Sequence, residues 1–265
     1  MKINEKSFNC KIYNSLILGE RCFTIILSLD FESTGLDRAS DRIIEVGAIL
    51  YSTTQSQMLY CHTDLVQSDV PVSKEITQIT GISQAMVTKF GVNSKTALTR
   101  LLNMVEEAEA IVGQNIVDFD MPFLQNWVAR EKETLPERLI IDTYTDLPGV
   151  DAKHLGYMAA DEGFVNPFPH RALADALTVL KLVSLHDGKR KPSTFEDIVT
   201  RAKSPRVTVA AQITREQNQL ARKRGYRWAP APRNVWHKTF KELDLERESK
   251  EAPFNIARIA PVPRD

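Results

Sequence analysis

The chain has 265 residues, of which 43% are hydrophobic and 26% charged, and its 34 basic and 34 acidic side chains cancel. This composition excludes a disordered chain, a collagen-like chain and a small disulfide scaffold, because each of these requires a strongly biased composition. The zero net charge is the sum of three segments with different charges. Residues 1–188 carry 16 basic and 25 acidic side chains, and residues 189–241 carry 14 basic and 3 acidic side chains. Residues 242–265 carry 4 basic and 6 acidic side chains. The sequence therefore predicts an acidic body joined to a basic extension.

The cysteines, at positions 10, 22 and 61, form no Cys-x-x-Cys pair and leave an odd thiol. This usage is typical of a reducing compartment, so we expect a cytoplasmic protein. No apolar run approaches the roughly 20 residues that span a bilayer, and we expect no membrane partner. The N-terminal lysines lack the layout of a signal peptide, and residues 1–22 are interpreted as a short leader.

Periodic apolar runs predict five strands and four helical segments in the first 188 residues. The strands are predicted at 23–29, 42–51, 57–66, 110–112 and 139–141, and the helical segments at 73–104, 118–132, 152–161 and 172–186. A polar turn at 52–56 separates the second and third strands, and because the three strands follow one another closely in the chain, we expect an antiparallel meander. The order of the elements predicts an α/β fold, with a mixed five-stranded sheet and helices on both faces.

The apolar periodicity ends at 187–193, where polar, basic and turn-forming residues take over. We place a domain boundary there, between a first domain over 23–188 and a small basic α+β accessory module over 189–251. Residues 252–265 are punctuated by prolines and are predicted to be a flexible tail. Within the module the pattern predicts a β-α-β-β unit, with a strand at 207–213, a helix at 214–224 that starts with a capping box, and a hairpin at 226–240.

Asp30 and Glu32 follow the first apolar run, and residues two apart in a strand point to the same side. Two carboxylates are therefore expected on one face, although the pair alone is equally consistent with solvated acids at a strand end. Two later segments add polar groups near the start of a helix. These groups are Asn115 and Asp120 within 113–120, and His170 and Asp175 within 170–175.

Together the three segments resemble the motifs of the DEDDh (DnaQ-like) family of 3′→5′ exonucleases, which includes RNase T, oligoribonuclease and the proofreading epsilon subunit of DNA polymerase III. The family motifs are Asp-x-Glu-x-Thr-Gly, an Asn-containing segment that ends in Phe-Asp, and His-x-Ala-x-x-Asp. The matching residues are Asp30, Glu32, Thr34 and Gly35 in the first, Asn115, Phe119 and Asp120 in the second, and His170, Ala172 and Asp175 in the third. The resemblance covers roughly residues 24–186 and implies an RNase H-like fold.

The resemblance also implies that four carboxylates hold two divalent ions, Mg²⁺ or Mn²⁺; these are Asp30, Glu32, Asp120 and Asp175. The physical argument agrees, since converging acids without basic partners repel one another and divalent cations relieve that repulsion. Two such ions can stabilise the attacking and the leaving oxygen at a phosphodiester. His170 would act as general base on the attacking water, for which an imidazole with a pKa of about 6.5 is suited.

The second motif departs from the family pattern in two ways. Gln114 stands where many members have histidine, and the interval from Asn115 to Asp120 is one residue longer than the commonest form. Asp120 is interpreted as the metal ligand because it follows Phe119 and begins the segment Met-Pro-Phe-Leu. Asp118 is the alternative ligand.

Substrate contacts follow from the resemblance as well. The residues predicted to bind the terminal nucleotide are Thr34, Gly35, Leu36, Asn115, Ile82 and Phe123. Among them Leu36 would wedge against a base. For Ile82 and Phe123, a role in the hydrophobic core is as consistent with the sequence as a role in the pocket.

The basic module predicts capture of nucleic acid, because a positive surface attracts phosphates and aromatic side chains stack on bases. The cations predicted to make such contacts are Arg222, Lys223, Arg224, Arg227, Arg233 and Lys238. In the alternative, the aromatic residues form the module's own core and the basic face docks onto the acidic body. For Trp228 and Trp236 we favour the core, since a unit this small needs large apolar side chains.

These features predict a metal-dependent 3′→5′ exonuclease that hydrolyses single-stranded or frayed DNA ends to nucleoside 5′-monophosphates. DNA is favoured over RNA by the additional module and by similarity to proofreading and repair-type relatives. One alternative is an exoribonuclease like RNase T or oligoribonuclease. The other is a non-catalytic accessory protein that binds nucleic acid or a polymerase. The expected partners are DNA and a DNA polymerase or another replication or repair protein.

Overall fold

Two β-sheets organise the chain in this computed structural model, which describes residues 24–149 and 154–262. The first sheet contains β1 (Ile25–Ser33), β2 (Ile43–Ser52), β3 (Gln57–Leu65), β4 (Ala110–Gly113) and β5 (Leu139–Asp142), and the second contains β6 (Arg206–Gln212), β7 (Arg227–Ala229), β8 (Val235–Lys241) and β9 (Asn255–Ile259). The helices are α1 (Lys74–Thr80), α2 (Gln84–Phe90), α3 (Ser94–Glu107), α4 (Asp120–Glu131), α5 (Thr143–Asp146), α6 (Leu155–Asp161), α7 (Ala172–Ser184), α8 (Phe195–Lys203), α9 (Asn218–Lys223) and α10 (Leu245–Glu251). Among the described residues, no helix is long and apolar enough to cross a membrane. The predicted leader, residues 1–22, lies outside the described residues.

The first sheet has the strand order β3-β2-β1-β4-β5. Strands β1, β2 and β3 pair antiparallel as a meander, whereas β4 lies parallel to β1 and β5 lies parallel to β4. The predicted mixed five-stranded sheet is therefore confirmed. Its central strand is β1, which places the acids at the end of that strand between two paired neighbours.

Both faces of this sheet are covered by helices, as predicted. Alternate residues of β1 follow the strand period of two: Leu27 and Leu29 pack with the buried side chains of α3 and α4. On the other face Ile26 packs with Val179 of α7 and Ile198 of α8. Asp30 and Glu32 lie four and six residues after Ile26 in the chain, so their side chains point to the same face of the sheet as Ile26. This is the face that carries α7.

Helix α7 lies unusually close to β1 and β2. The hydroxyl of Ser28 donates a hydrogen bond of 2.8 Å to the carbonyl oxygen of Ala176. Gly47 on β2 faces the backbone of Ala172, and a Cβ at this position would overlap that backbone. Glycine is thus required here by close approach, and it lets the first turn of α7 reach the end of β1.

The second sheet has the antiparallel order β7-β8-β6-β9. It contains the predicted strand, helix and hairpin as β6, α9 and β7–β8, and Trp228 lies opposite Trp236 in the hairpin. The predicted capping contact is present, since the backbone N–H of Thr214 donates to Gln217 Oε1 at 3.1 Å. The aromatic core of this unit includes Tyr226, which is 2% exposed.

The structure differs from the predicted tail over 252–265, because residues 255–259 form β9. This strand pairs with β6 along five residues, and Ile256 packs against the hydrophobic cluster of the second sheet. The prolines at 253 and 261 flank the strand without interrupting it, so the backbone N–H groups of the strand remain available for pairing. The flexible-tail prediction is therefore wrong for these residues.

Helix α8 also departs from the predicted organisation. It lies in the segment assigned to the accessory module, yet Ile198 and Val199 are buried in the same cluster as residues of α7 and the first sheet. The predicted boundary followed the loss of apolar periodicity at 187–193, which marks a polar loop and does not show where the next helix packs. The chain passes to the second sheet at Ser204 and Pro205, directly after α8.

Candidate active site

The end of β1 presents Asp30 and Glu32 toward the start of α7. Asp30 lies opposite Gly47 of β2, and Glu32 lies opposite Glu45. Because Gly47 has no side chain, the space beside Asp30 is open to the chain that enters α7. A register shift between Glu32 and Ser33 then ends the regular pairing of the strand.

The segment before α7 brings His170 and Asp175 to this edge. The backbone N–H of His170 donates to Asp175 Oδ2 at 2.9 Å, and the side chain of Asn166 donates to Asp175 Oδ1 at 2.5 Å. His170 has a φ of +60°, a left-handed conformation that is uncommon outside glycine. The imidazole is exposed, whereas Asp175 is 9% exposed.

Glu45 fastens the first turn of α7 to β2. Its carboxylate accepts hydrogen bonds from the Arg171 guanidinium, the shorter at 2.6 Å, and from the backbone N–H of Ala172 at 2.9 Å. Glu45 is 2% exposed, so this buried acid is paired with a cation and satisfied by hydrogen bonds. The contact therefore sets the position of the helix that carries Asp175.

Asp120 occupies the first position of α4 and is 2% exposed. Its Oδ1 accepts a hydrogen bond of 3.0 Å from the backbone N–H of Phe31, the residue between Asp30 and Glu32. Asp118, in contrast, lies 3.5 Å from the guanidinium of Arg206. This geometry supports Asp120 over Asp118 as the acid of the second motif.

Burial raises the pKa of all four carboxyl groups of the predicted site. The pKa of Asp30 lies well above its ordinary value, first because of burial and then because of the charges of Asp120 and Asp175. Burial, followed by the charge of Asp175, raises the pKa of Glu32 to about 8. Burial likewise raises the pKa of Asp120 to about 8, and it raises the pKa of Asp175. The site thus concentrates more negative charge than the protein alone compensates.

This donor set fits divalent cations. One ligand atom each from Glu32, His170 and Asp175 can be chosen so that all lie within 4.8 Å of one another. The half-buried Asp30 and the buried Asp120 add two further carboxylates that interact electrostatically with this group. Carboxylate oxygens are the ligands that Mg²⁺ and Mn²⁺ prefer, and binding would offset the repulsion that raises these pKa values.

The residues after β1 provide an accessible edge to the site. The Thr34 hydroxyl donates to Asp41 Oδ1 at 2.8 Å, and a Cβ at Gly35 would overlap the carboxylate of Asp41. The turn is therefore tightly held. Leu36 extends from it with 84% of its surface exposed, so an apolar side chain is available to a ligand at this edge.

Two positions predicted to contact substrate lie in the hydrophobic core. Ile82 is fully buried in a cluster with Ile44 and Val87. Phe123 is 2% exposed, and its ring centroid lies 4.9 Å from that of Phe119. Of the two alternatives that the sequence left open for these residues, the structure supports packing, because neither has surface to offer a substrate.

The loop between β4 and α4 is built around Asn115, which is partly buried and has a left-handed φ of +55°. Its backbone N–H donates to Asp142 Oδ1 at 2.8 Å. The neighbouring Gln114, which replaces the family histidine, accepts a hydrogen bond of 2.5 Å from the Thr143 hydroxyl. The loop is thereby anchored to the end of β5.

Sequence reasoning assigned no part in the site to three residues that orient it, namely Glu45, Asn166 and Asp142. Glu45 and Asp142 hold motif residues that are 127 and 27 positions away along the chain, and Asn166 holds Asp175 from nine positions before it. The only sequence signal was an acid within the apolar strand β2, where a buried Glu45 requires a partner. His154 was also missed, and its ring centroid lies 6.3 Å from that of His170.

The six cations predicted to contact nucleic acid fall into two groups. Arg222, Lys223, Arg227 and Arg233 are exposed. Arg224 instead pairs with Glu248 at 2.9 Å, and Lys238 lies 3.5 Å from the same carboxylate. Trp228, favoured as a core residue, is 49% exposed, whereas Trp236 is partly buried and donates to Asn218 Oδ1 at 2.8 Å.

Residues 27–183 match the family model RNase_T, described as exonuclease. A DNA polymerase III PolC-type from Thermotoga maritima is 34% identical over 162 residues, which are 60% of this chain and 11% of that protein. The corresponding enzyme of Pediococcus pentosaceus is 27% identical over 153 residues, 56% of this chain and 10% of that protein. The chain thus matches about a tenth of the length of these curated relatives.

Among solved structures, the zinc-bound complex of E. coli ExoI with single-stranded DNA has a TM-score of 0.59 at 17% identity and covers 72% of this chain and 48% of that one. The nuclease domain of 3′hExo, a DEDDh family member bound to rAMP, has a TM-score of 0.54 at 18% identity and covers 65% and 96%. At these identities the likeness establishes the fold, and the predicted RNase H-like architecture is confirmed.

Proposed function

The chain belongs to the RNase T exonuclease family, of the DEDDh (DnaQ-like) type, and we propose that it is a metal-dependent 3′→5′ exonuclease that hydrolyses single-stranded or frayed DNA ends. The observation that carries this proposal is the convergence of Glu32, His170 and Asp175 within 4.8 Å, beside the acids Asp30 and Asp120. This set offers both a metal-binding surface and an exposed base at the same edge of the sheet.

Four carboxylates would hold two divalent ions, Mg²⁺ or Mn²⁺: Asp30, Glu32, Asp120 and Asp175. When bound, the ions would lower the pKa of water and stabilise the charge that develops at the phosphodiester. The protein contributes a rigid arrangement of oxygens, since Asp120 is held by the Phe31 N–H and Asp175 by the Asn166 amide. The pKa values of Asp30 and Glu32 are raised because it is unfavourable to ionise buried, neighbouring carboxyl groups without a counter-charge.

His170 would act as general base. Its backbone is fixed by the hydrogen bond to Asp175, while its imidazole is exposed and can reach a water molecule at the site. An imidazole nitrogen would accept a proton from water as the water oxygen forms a bond to phosphorus. The P–O3′ bond to the penultimate nucleotide would then break, and the departing 3′-oxygen would take a proton from a solvent water molecule. This leaves a 3′-hydroxyl on the shortened strand and releases a nucleoside 5′-monophosphate.

Substrate would enter over the turn after β1. The exposed Leu36 is placed to wedge against the terminal base, and the tightly held backbone at Thr34 and Gly35 would contact the terminal nucleotide. On the second sheet, the four exposed cations at positions 222, 223, 227 and 233 would track the phosphates of the strand.

Two observations bear on the choice between DNA and RNA. The two curated relatives, at 34% and 27% identity, are DNA polymerases, and the ExoI structure contains single-stranded DNA, which favours DNA. The 3′hExo domain, bound to rAMP, matches over nearly its whole length and favours an exoribonuclease as the second candidate. The leading proposal also includes a cytoplasmic location and association with a DNA polymerase or a repair protein. The similarity to PolC-type DNA polymerases supports the polymerase partner.

The proposal is tested with a single-stranded DNA and an RNA of the same sequence, each labelled at its 5′ end and incubated with Mg²⁺. We expect progressive shortening from the 3′ end, faster for DNA, and none with Asp30→Asn. Faster shortening of the RNA would favour the second candidate. If neither strand is shortened and wild type behaves as Asp30→Asn does, the protein is a non-catalytic accessory and the enzyme proposal is wrong.

A further inference from the structure

The second sheet docks onto the first through the buried cation Lys241 and the partly buried cation Arg206. Lys241 of β8 is 6% exposed and lies 2.9 Å from Asp146 Oδ1 of α5, which is 1% exposed. Arg206, the first residue of β6, lies 3.5 Å from Asp142 Oδ2 and 3.5 Å from Asp118 Oδ1. These contacts join the basic unit to the end of β5 and to the loop between β4 and α4.

The carboxylate and the backbone N–H of Asp142 take part in three hydrogen bonds. Its Oδ1 accepts from the backbone N–H groups of Asn115, at 2.8 Å, and Tyr144, at 3.0 Å, while its own N–H donates to Asp146 Oδ2 at 2.9 Å. Its Oδ2 is buried and accepts no hydrogen bond. The guanidinium of Arg206 is therefore the counter-charge that this oxygen faces, and a buried carboxylate needs one.

The hydrogen bond to Asn115 sets the course of the loop toward the predicted metal ligand. Asn115 holds its left-handed φ of +55°, and its carbonyl oxygen accepts from the backbone N–H groups of Asp118 and Phe119 at 3.2 and 3.1 Å. Asp120 follows immediately and begins α4. Arg206 thus contacts this loop directly at Asp118 and indirectly through Asp142.

We propose that Arg206 is a positioning residue that, through Asp142 and Asn115, fixes the loop that carries Asp120. The second sheet then helps to position a ligand of the metal site, in addition to any contact it makes with nucleic acid. This inference rests on the proposed function in one respect, namely that Asp120 is a metal ligand. It extends that function, because the family motifs end before residue 206.

Mn²⁺ binding to the full-length protein, measured by calorimetry, tests the inference together with kcat and KM on labelled single-stranded DNA. We expect Arg206→Met to weaken Mn²⁺ binding by about 10-fold, as the loss of outer-shell partners commonly does, and to lower kcat while KM for the DNA stays unchanged. Arg206→Lys keeps the charge and should recover most of the Mn²⁺ affinity. The matched control is Asp244→Asn, which breaks the 2.6 Å ion pair with Arg201 at the same interface but contacts neither Asp142 nor the loop.

A double variant, Arg206→Met with Asp142→Asn, separates positioning from general destabilisation. It leaves no buried unpaired charge, and the amide oxygen of the new residue can still accept from the Asn115 N–H, so we expect it to bind Mn²⁺ more tightly than Arg206→Met alone. This variant also decides the matter if Arg206→Met does not fold. Unchanged Mn²⁺ affinity in Arg206→Met, an equal loss in Asp244→Asn, or no recovery in the double variant would overturn the inference. Because Mn²⁺ binding needs no substrate, it remains decisive even if wild type fails to degrade nucleic acid.

Discussion

The backbone N–H of His170 donates to Asp175 Oδ2 at 2.9 Å, so one short segment of chain positions both the predicted base and a predicted metal ligand. The bond is made from the main chain, which leaves the imidazole of His170 available for chemistry. It also stabilises the left-handed backbone of His170, whose φ of +60° would otherwise be unfavourable. A change at Asp175 should therefore displace His170 as well, whereas a change in the His170 side chain should leave Asp175 in place.

From this asymmetry we expect His170→Gln to lower kcat by about 10²- to 10⁴-fold, the usual contribution of a general base. Metal binding should change little, because all four carboxylates remain. Asp175→Asn should weaken both. His154→Gln is the matched control, since His154 lies beside His170 but its Nδ1 accepts from the Gly156 N–H at the start of α6. Equal rates for His170→Gln and wild type would contradict the assignment.

The raised carboxyl pKa values predict how the stability of the metal-free protein depends on pH. The pKa of Glu32 rises from 4.5 to about 8 on folding, so between these values the folded state binds more protons than the unfolded state. The free energy of unfolding should therefore fall as the pH rises from about 5 to 8, and Asp120 acts in the same direction.

Urea unfolding with a chelator present measures this dependence, and Glu32→Gln is the comparison variant. Replacing the titrating group should flatten the slope relative to wild type, and saturating Mg²⁺ should flatten it also, because the ion stabilises the ionised form. A wild-type stability that rises over this range, or a slope unaffected by Glu32→Gln, would be inconsistent with buried, mutually repelling carboxylates.

Gly47→Ala should destabilise the protein by at least about 2 kcal/mol, because the added Cβ would overlap the backbone of Ala172 and force α7 away from β2. The same shift would move Asp175, so Mn²⁺ affinity should fall too. Gly156→Ala in α6 is the control: its Cβ would meet only the His154 ring at 3.5 Å, and it should be neutral or slightly stabilising. Thermal unfolding of both variants provides the measurement, and equal melting temperatures would argue against the close approach.

Leu36→Ala should raise KM for single-stranded DNA severalfold and leave the melting temperature unchanged, because the side chain is 84% exposed and supports no core. In the proposed function, this side chain would wedge against the terminal base. The control is Leu243→Ala. Leu243 follows β8 of the second sheet and is 54% exposed, so its replacement also removes an exposed leucine but should leave KM unchanged. An unaltered KM in Leu36→Ala would remove Leu36 from the substrate contacts.

The exposed cations of the second sheet should contribute to the salt dependence of binding. We expect Arg222→Gln and Lys223→Gln each to reduce the slope of log affinity against log salt by about 0.7, the value for one phosphate contact on a single strand. Arg224→Gln should change the slope less and lower stability, because its guanidinium already pairs with Glu248 and Glu251. Equal slopes for wild type and the first two variants would favour a structural role for the basic surface.

The elements of the first sheet were predictable because each depends on a local pattern. The apolar runs of β1 and β2 predict buried strands, and the short turn between β2 and β3 predicts antiparallel pairing. The β9 strand was not predictable in the same way, since its prolines suggest flexibility and its stability comes from pairing with β6, more than 40 residues earlier. Helix α8 was missed for a related reason: it follows the polar break at 187–193, and its burial depends on the packing of Ile198 with the first sheet.

The types and spacing of Asp30, Glu32, His170 and Asp175 were enough to predict candidate metal ligands and a candidate base, because metal binding and proton transfer require such groups close together. Tertiary structure alone decided how these groups are held. Glu45 grips the start of α7 from β2, and Arg206 faces Asp142 from a second sheet. Such contacts join residues far apart in the chain, and their strength depends on burial, which removes the competing water and makes an unpaired charge costly.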